Sequence, residues 1–186
     1  MQRYNHKGEY FMSKIEINRV WCMPNKNTFD IKPVKELIEK YIKKLPQNPT
    51  IVDPFANKNK IATITNDLDP QYNTDYNMDA TDFLKILDDN CADMILYDAP
   101  YSPRQVSEVY KKFNMSVNME TTQASYWSKQ KEQISRLVKK GGYVITCSWN
   151  SGGIGKKYGF EIVEILMVPH GGWHNDTIVT VERKIK

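Results

Sequence analysis

Three cysteines in 186 residues, Cys22, Cys91 and Cys147, form no CxxC pair and stand beside no paired histidine. So sparse and odd a set argues against a disulfide framework and against a zinc site, and it suits a reducing compartment. There is no P-loop, no GxSxG and no Cys-His arrangement to supply phosphate or acyl chemistry. No apolar run approaches the roughly 18 to 20 residues of a membrane span. The first residues are polar and charged where a secretory signal would place its apolar segment. Charge is also modest: a net +4 with a pI near 8.8 permits a polyanionic partner without demanding one. The expectation is a soluble, cytoplasmic protein with no membrane partner and no bound metal.

With 40% hydrophobic and 11% aromatic residues, the chain can bury a sizeable core. Residues 1–11 are polar and unpatterned, and Met12 would serve equally well as a start. Those eleven residues are expected to be a disordered extension, with residues 12–186 forming a single domain. Ile31, Val34, Leu37, Ile38, Tyr41, Ile42 and Leu45 recur at three- and four-residue spacing, with Pro33 in the first turn and Pro46 closing the run. This pattern predicts an amphipathic helix that covers one face of a sheet. Strands are predicted at residues 50–52, 61–65, 76–79 and 143–147, and a helix over residues 131–139 stopped by Gly141 and Gly142. Two long β segments, 160–168 and 177–182, have no helix between them and should pair antiparallel at one sheet edge. The order of elements predicts an α/β, Rossmann-like, mostly parallel twisted sheet with helices on both faces.

The most informative stretch is Ala92 to Arg104, ADMILYDAPYSPR. Met94, Ile95, Leu96 and Tyr97 read as a strand buried on both faces, and Asp98-Ala99-Pro100-Tyr101 follows where that strand stops. In open α/β sheets ligands bind just beyond the carboxyl ends of strands, so a carboxylate, a Pro and an aromatic ring delivered there make a candidate reaction site. A plain strand followed by a Pro turn would use the same residues.

The tetrapeptide resembles the Asp/Asn-Pro-Pro-Tyr motif of the amino-group methyltransferases that use S-adenosylmethionine, and the likeness extends from about Trp21 onward, with the flavour of the small phage or bacterial DNA adenine enzymes. Thr50 to Asn59 resembles the family's Asp-Pro-Phe-x-Gly-x-Gly loop, with Asn57 and Asn59 at the two glycine positions. Asn tolerates the left-handed backbone region better than most residues, so the turn could survive both replacements. The resemblance implies catalytic roles for Asp98, Ala99, Pro100 and Tyr101. Asp98 and the Ala99 carbonyl would accept the amine N–H groups, and Tyr101 would stack on the base. It implies cofactor contacts from Thr28 and Phe29, from Asp53, Pro54, Phe55 and Ala56, from Asp67 and Leu68, and from Asp79 and Ala80. Asp67 follows a strand as the ribose-binding carboxylate of nucleotide folds does, whereas Asp79 would serve equally well as a helix cap.

Residues 102–127 interleave aromatics with basic residues. Ser102, Arg104, Tyr126 and Trp127 are the candidates for holding the substrate, with residues 114–122 a mobile loop beside the site. The resemblance therefore implies transfer of a methyl group from S-adenosylmethionine to adenine N6 in DNA, on a base flipped out or single-stranded. Replacement of both glycines and of the first motif Pro fits a second reading, a non-catalytic cofactor-binding or structural subunit of a methyltransferase complex. A third has cytosine, RNA or a protein amide as acceptor. With little chain beyond the sheet and its helices to read a groove, the expectation is either weak sequence specificity, with contacts from residues 102–127, or recognition completed by a second copy or a partner protein.

Overall fold

The computed structural model describes residues 14–186, so the extension expected at residues 1–11 lies outside the described residues. A seven-stranded sheet forms the centre: β1 (Glu16–Arg19), β2 (Ile51–Asp53), β3 (Ile64–Thr65), β4 (Ala92–Tyr97), β5 (Val138–Ser148), β6 (Phe160–Val168) and β7 (Thr177–Lys184). Their spatial order is β1-β6-β7-β5-β4-β2-β3, and only β7 runs antiparallel to its neighbours, β5 and β6. The mostly parallel α/β sheet and its antiparallel C-terminal pair are those the sequence predicts. The short strand β1, unpatterned and exposed at all four positions, adds outside β6.

All six residues of β4 are buried, and their alternation divides the core between the two faces of the sheet. Met94 and Leu96 pack with Val34, Leu37, Ile38 and Tyr41 of α1 (Lys32–Ile42). Ile95 and Tyr97 pack with Phe83 and Leu84 of α2 (Ala80–Ile86) and with Ile134 and Leu137 of α5 (Ala124–Leu137). Between them, α3 (Pro103–Lys112) and the four-residue α4 (Met119–Thr122) lie over the end of the sheet, where Val106, Tyr110 and Tyr126 form a small separate cluster.

Several local expectations change. The helix expected to stop at Gly141 and Gly142 ends earlier, at Leu137, and β5 starts at the next residue. The two glycines instead sit at an irregularity in β4–β5 pairing, where the register passes from Ala92↔Val138 to Met94↔Tyr143. Gly141 takes φ +88°, and a Cβ on Gly142 would stand 2.8 Å from the Asp93 carbonyl oxygen, so the pair permits a bulge rather than capping a helix. The strand expected over residues 61–65 shortens to two residues, and that over 76–79 reduces to a single bridge between Asn66 and Tyr76. The stretch expected as a loop at residues 114–122 contains α4, started by a capping box at Asn118. No helix among the described residues is long and apolar enough to cross a membrane.

Candidate active site

Because β2, β3, β4 and β5 run parallel, their carboxyl ends open on one edge of the sheet. A cavity of about 390 Å³ lies there, lined by Thr28, Pro54, Phe55, Asp67, Leu68, Asp79 and Ala80 together with Asp98, Ala99, Pro100 and Tyr101. Sequence reading had selected all eleven, from segments spread over more than 70 positions. Tyr126 of α5, a sequence-selected substrate residue, also reaches the cavity, and Asn66, Gln105, Val106, Val109 and Tyr110 complete the wall.

Asp98 begins where β4 ends. Burial pushes its carboxyl above the usual range, while hydrogen bonds from the Thr28 and Tyr101 side chains pull it part of the way back. The Tyr101 phenol donates to Asp98 Oδ1 at 2.6 Å, and its own pKa rises, chiefly through burial. The peptide around this pair is held from both sides. Tyr101 N–H donates to Gln105 Oε1 at 2.6 Å, and the Trp127 indole N–H donates to the Pro100 carbonyl at 2.9 Å. Ala99 is buried among Tyr97, Val144 and the α2–α5 core, so packing supplies the rigidity that a proline ring would otherwise give.

On the opposite wall the carboxylates bind the backbone. Asp67 Oδ2 accepts from Asn57 N at 2.8 Å and Oδ1 from Asp69 N at 2.8 Å, tying the β2 loop to the β3 loop. Asp79 caps α2 through Thr81 N at 2.8 Å, and its other oxygen accepts from the Tyr110 phenol. The cap and the cavity-lining position thus coincide in one residue. Asn66, fully buried, joins the same segments by donating to the carbonyls of Pro54 and Met78 at 3.0 Å each. No sequence signal marked it out, since a lone Asn after a strand is an ordinary turn residue.

Not every sequence-selected residue reaches the cavity. Asp53 is fully buried behind the wall, where it accepts from Phe55 N at 3.0 Å and from Asn59 Nδ2 at 2.8 Å. Burial, with smaller contributions from Asp98 and Asp67, raises its pKa to about 7. Phe29 and Ala56 are buried as well and are not among the residues lining this cavity, and Phe29 belongs to the α1 core. Ser102 caps α3, accepting from Gln105 N. Arg104 points into solvent and pairs with Glu108 one turn on, a surface geometry that spends its charge within α3. Trp127 lies on the far side of the tetrapeptide, facing a second cavity.

Of the two Asn residues at the glycine positions, Asn57 adopts φ +49°, as the loop requires, while Asn59 does not take a positive φ and serves through its side chain. The shared expectation of a left-handed turn therefore holds at residue 57 and fails at residue 59.

No protein-family model and no curated protein sequence matches the chain. Solved structures do match its fold. TrmN from Thermus thermophilus superposes with a TM-score of 0.54 at 14% identity over 83% of this chain, which spans only 49% of that protein. The 1,6-didemethyltoxoflavin-N1-methyltransferase of Burkholderia thailandensis, solved with 1,6-didemethyltoxoflavin and S-adenosylhomocysteine bound, gives 0.56 at 10% identity, covering 83% of this chain and 78% of that one. The N-methyltransferase NodS from Bradyrhizobium japonicum WM9 gives 0.56 at 10% identity over 88% of this chain and 100% of that one. At these identities what is shared is the fold, and the chain has the fold of these methyltransferase structures.

Proposed function

We propose that this protein transfers a methyl group from S-adenosylmethionine to an exocyclic amine, with adenine N6 in DNA as the acceptor. The observation that carries the reading is the Asp98–Tyr101 pair. It is a half-buried, hydrogen-bonded carboxylate at the end of a central strand, sharing one cavity with Asp67 and Asp79 from the ends of the neighbouring segments. A fold shared with structures named as methyltransferases, one of them holding S-adenosylhomocysteine, supports it.

The residues fit that cofactor. Asp67 and Asp79 offer carboxylate oxygens with lone pairs beyond those bound to the backbone, suited to ribose hydroxyls and to an adenine amino group. Pro54, Phe55 and Leu68 offer apolar wall, and Thr28 stands beside Asp98 at the reacting end. When bound, the cofactor supplies an electrophilic methyl group. Asp53 acts from behind, fixing the loop at Phe55.

An exocyclic amine is a poor nucleophile because its lone pair is delocalised into the ring. Asp98 accepts one of its N–H bonds and favours the pyramidal nitrogen on which positive charge develops, an effect strengthened where water is excluded. The Tyr101 phenol fixes the carboxylate by holding Oδ1. The raised pKa of Asp98 equips the carboxylate to receive the proton that the methylated nitrogen gives up. The acceptor must enter a cleft at the sheet edge, which a stacked base cannot do, so DNA presents it flipped or unpaired.

The test is incubation with methyl-labelled S-adenosylmethionine and DNA, RNA and protein acceptors. Label in N6-methyladenine of DNA is expected. Absence of S-adenosylhomocysteine binding by the folded protein in calorimetry would overturn the reading.

A further inference from the structure

β1 closes the side of the sheet away from the cleft, with β6 and β7 standing between it and the strands whose ends form the site. Residues 14–21 are all exposed, and four of them are large and apolar: Ile15, Ile17, Val20 and Trp21. Ile17, in the middle of the strand, is 61% exposed. The inner side of β1 pairs with β6, and no strand among the described residues pairs with its outer side. Such an edge offers a row of free N–H and C=O groups, a template for another strand unless charge, proline or a covering loop blocks it.

The ladder fixes which backbone groups are free. Val20 N–H donates to the Met167 carbonyl at 3.0 Å and Cys22 N–H to the Pro169 carbonyl at 3.2 Å. Even-numbered residues therefore bond inward, and Ile15, Ile17, Arg19 and Trp21 turn their backbone groups outward. The side chains alternate in step. Glu16 and Asn18 lie on the α1 face, where Lys40 Nζ donates to Glu16 at 3.0 Å and Asn18 Nδ2 to Glu164 Oε1 at 3.2 Å, so Ile15 and Ile17 lie on the other face. Ile17 stands beside Ile165 there, and Arg19 beside Met167, both of them half-buried.

In an antiparallel pair the hydrogen-bonded positions are those at which both residues turn their backbone groups toward the partner strand. A second copy of β1 thus sets odd residues opposite odd ones, and the two-fold axis passes through a residue rather than between two. An axis at Glu16 or at Arg19 puts like charges directly opposite each other. An axis at Asn18 puts the Glu16 carboxylate against Val20. An axis at Ile17 puts Ile17 against its own counterpart, Ile15 against the aliphatic stem of Arg19, and Glu16 against Asn18, a pair already hydrogen-bonded within one chain at 3.1 Å. The run Ile15-Glu16-Ile17-Asn18-Arg19 is complementary to itself in that register.

We infer that β1 is a dimerisation edge, through which two copies of this chain join antiparallel, with Ile17 on the two-fold axis, into one continuous sheet. An isologous contact demands that one stretch match its own reverse, a condition that an unrelated partner strand would not impose. The free backbone groups supply the hydrogen bonds, and the alternate side chains supply the specificity. Because the paired strands run in opposite directions, the two clefts open at opposite ends of the joint sheet, and neither copy reaches the other's site. The interface is therefore independent of the acceptor that the cleft takes.

Sedimentation velocity of the full chain should show a monomer–dimer equilibrium with a midpoint of about 10 µM, as suits a strand edge that buries less than a standard interface. Ile17→Lys sets two ammonium groups against each other on the axis and should weaken association at least about tenfold. Its thermal midpoint, measured at a concentration where both proteins are monomeric, should be unchanged, since the side chain is exposed. Ile17→Cys reads the register without depending on that variant: mild oxidation should give a disulfide-linked dimer, because residues opposed across an antiparallel pair lie within bridging distance. The native protein, with Cys22, Cys91 and Cys147, is the background for that cross-link. A native chain still monomeric at about 100 µM, which would leave the edge to a strand of another protein, would overturn the dimer. So would a dimer whose affinity Ile17→Lys leaves unchanged, or one that Ile17→Cys fails to cross-link.

Discussion

On the side of the cleft built from the ends of β2 and β3 and the start of α2, the carboxylates are engaged before any ligand arrives. Asp53 holds Phe55, Asp67 holds Asn57 and Asp69, and Asp79 holds Thr81, each through a backbone N–H. Across the tetrapeptide, the Thr146 hydroxyl is unpaired among the described residues, and Trp149, edge-on to Tyr101 at 5.6 Å, stays 43% exposed. A wall that satisfies itself is preorganised for a constant ligand, whose binding then costs little reordering. A wall whose aromatic surface is still exposed has that contact left to make. Asp98 and Tyr101 stand where the two walls meet, so they are the place to test whether the walls act separately.

The largest effect is expected there. Asp98→Ala should reduce methyl transfer by about a thousandfold, the order found when one preorganised polar group is removed from a reaction centre. S-adenosylhomocysteine affinity should remain within a few-fold, because the carboxylate is assigned to the amine. Equal losses of both in calorimetry and in a labelled-methyl assay would mean that the walls are one unit.

Next in size is the cost of the self-satisfied wall's buried charge. Burial raises the carboxyls of Asp53, Asp67 and Asp98 above the usual 3.8, Asp53 to about 7. A carboxyl whose folded pKa is raised binds its proton more tightly folded than unfolded. Its stabilising contribution is therefore complete below the unfolded pKa and is lost as pH rises through the folded one. For Asp53 the window runs from about pH 4 to about pH 7, with an upper bound of about 4 kcal/mol at 1.36 kcal/mol per pH unit. We expect the thermal midpoint to fall across that window and the slope to flatten in Asp53→Asn. A midpoint that rises from acid to neutral pH would show that Asp53 is ionised in the folded protein throughout.

Asp67→Ala separates loop-building from ligand-binding on the same wall. Two backbone N–H groups lose their acceptor, which should lower stability by about 3 kcal/mol if both stay buried. S-adenosylhomocysteine affinity should fall about tenfold. Chemical denaturation and calorimetry on one preparation would read both, and a stability loss with unchanged affinity would confine Asp67 to the loop.

How much of this was legible in the sequence depended on whether a residue acts through its neighbours in the chain or through distant ones. The continuous apolar run of β4 and the helical spacing of α1 carry their own period, so the sheet and its cover could be read directly. The tetrapeptide follows β4 at once, Asp53 closes β2 and Asp67 lies two residues past β3, so the strand ends placed them. Gln105, Tyr110 and Asn66 were not marked because their importance lies in bonds to Tyr101, Asp79 and the Pro54 and Met78 carbonyls, which only the fold brings near. Glu182 looked like an ordinary strand position for the same reason, its bonds coming from Ile154 N and Gly155 N. β1 was invisible because an exposed edge strand needs no apolar alternation. Gly141 and Gly142 misled because a glycine pair after a helical run reads equally as a cap or a bulge.

The smallest effects are expected at the two positions where the loop after β2 departs from the glycine pattern, and they separate two roles that the sequence presents as one. Asn57 sits at φ +49°, and its Oδ1 has no partner among the described residues. Glycine occupies that backbone region without a Cβ penalty, so Asn57→Gly should leave stability within about 0.5 kcal/mol and S-adenosylhomocysteine affinity unchanged. Asn59 is the opposite case. Its Nδ2 donates to Asp53 Oδ2 at 2.8 Å and its Oδ1 accepts from Ile61 N at 3.0 Å. Asn59→Gly removes a bond to a fully buried carboxylate and should cost about 1.5 kcal/mol. The same bond lowers the Asp53 pKa, so its loss should move the pH-dependent fall in midpoint to higher pH. Denaturation curves of the two variants across pH would decide the matter. If Asn57→Gly proved the more costly, the left-handed turn would depend on the Asn side chain. If Asn59→Gly left the pH profile in place, Asp53 would be held by the Phe55 N–H alone.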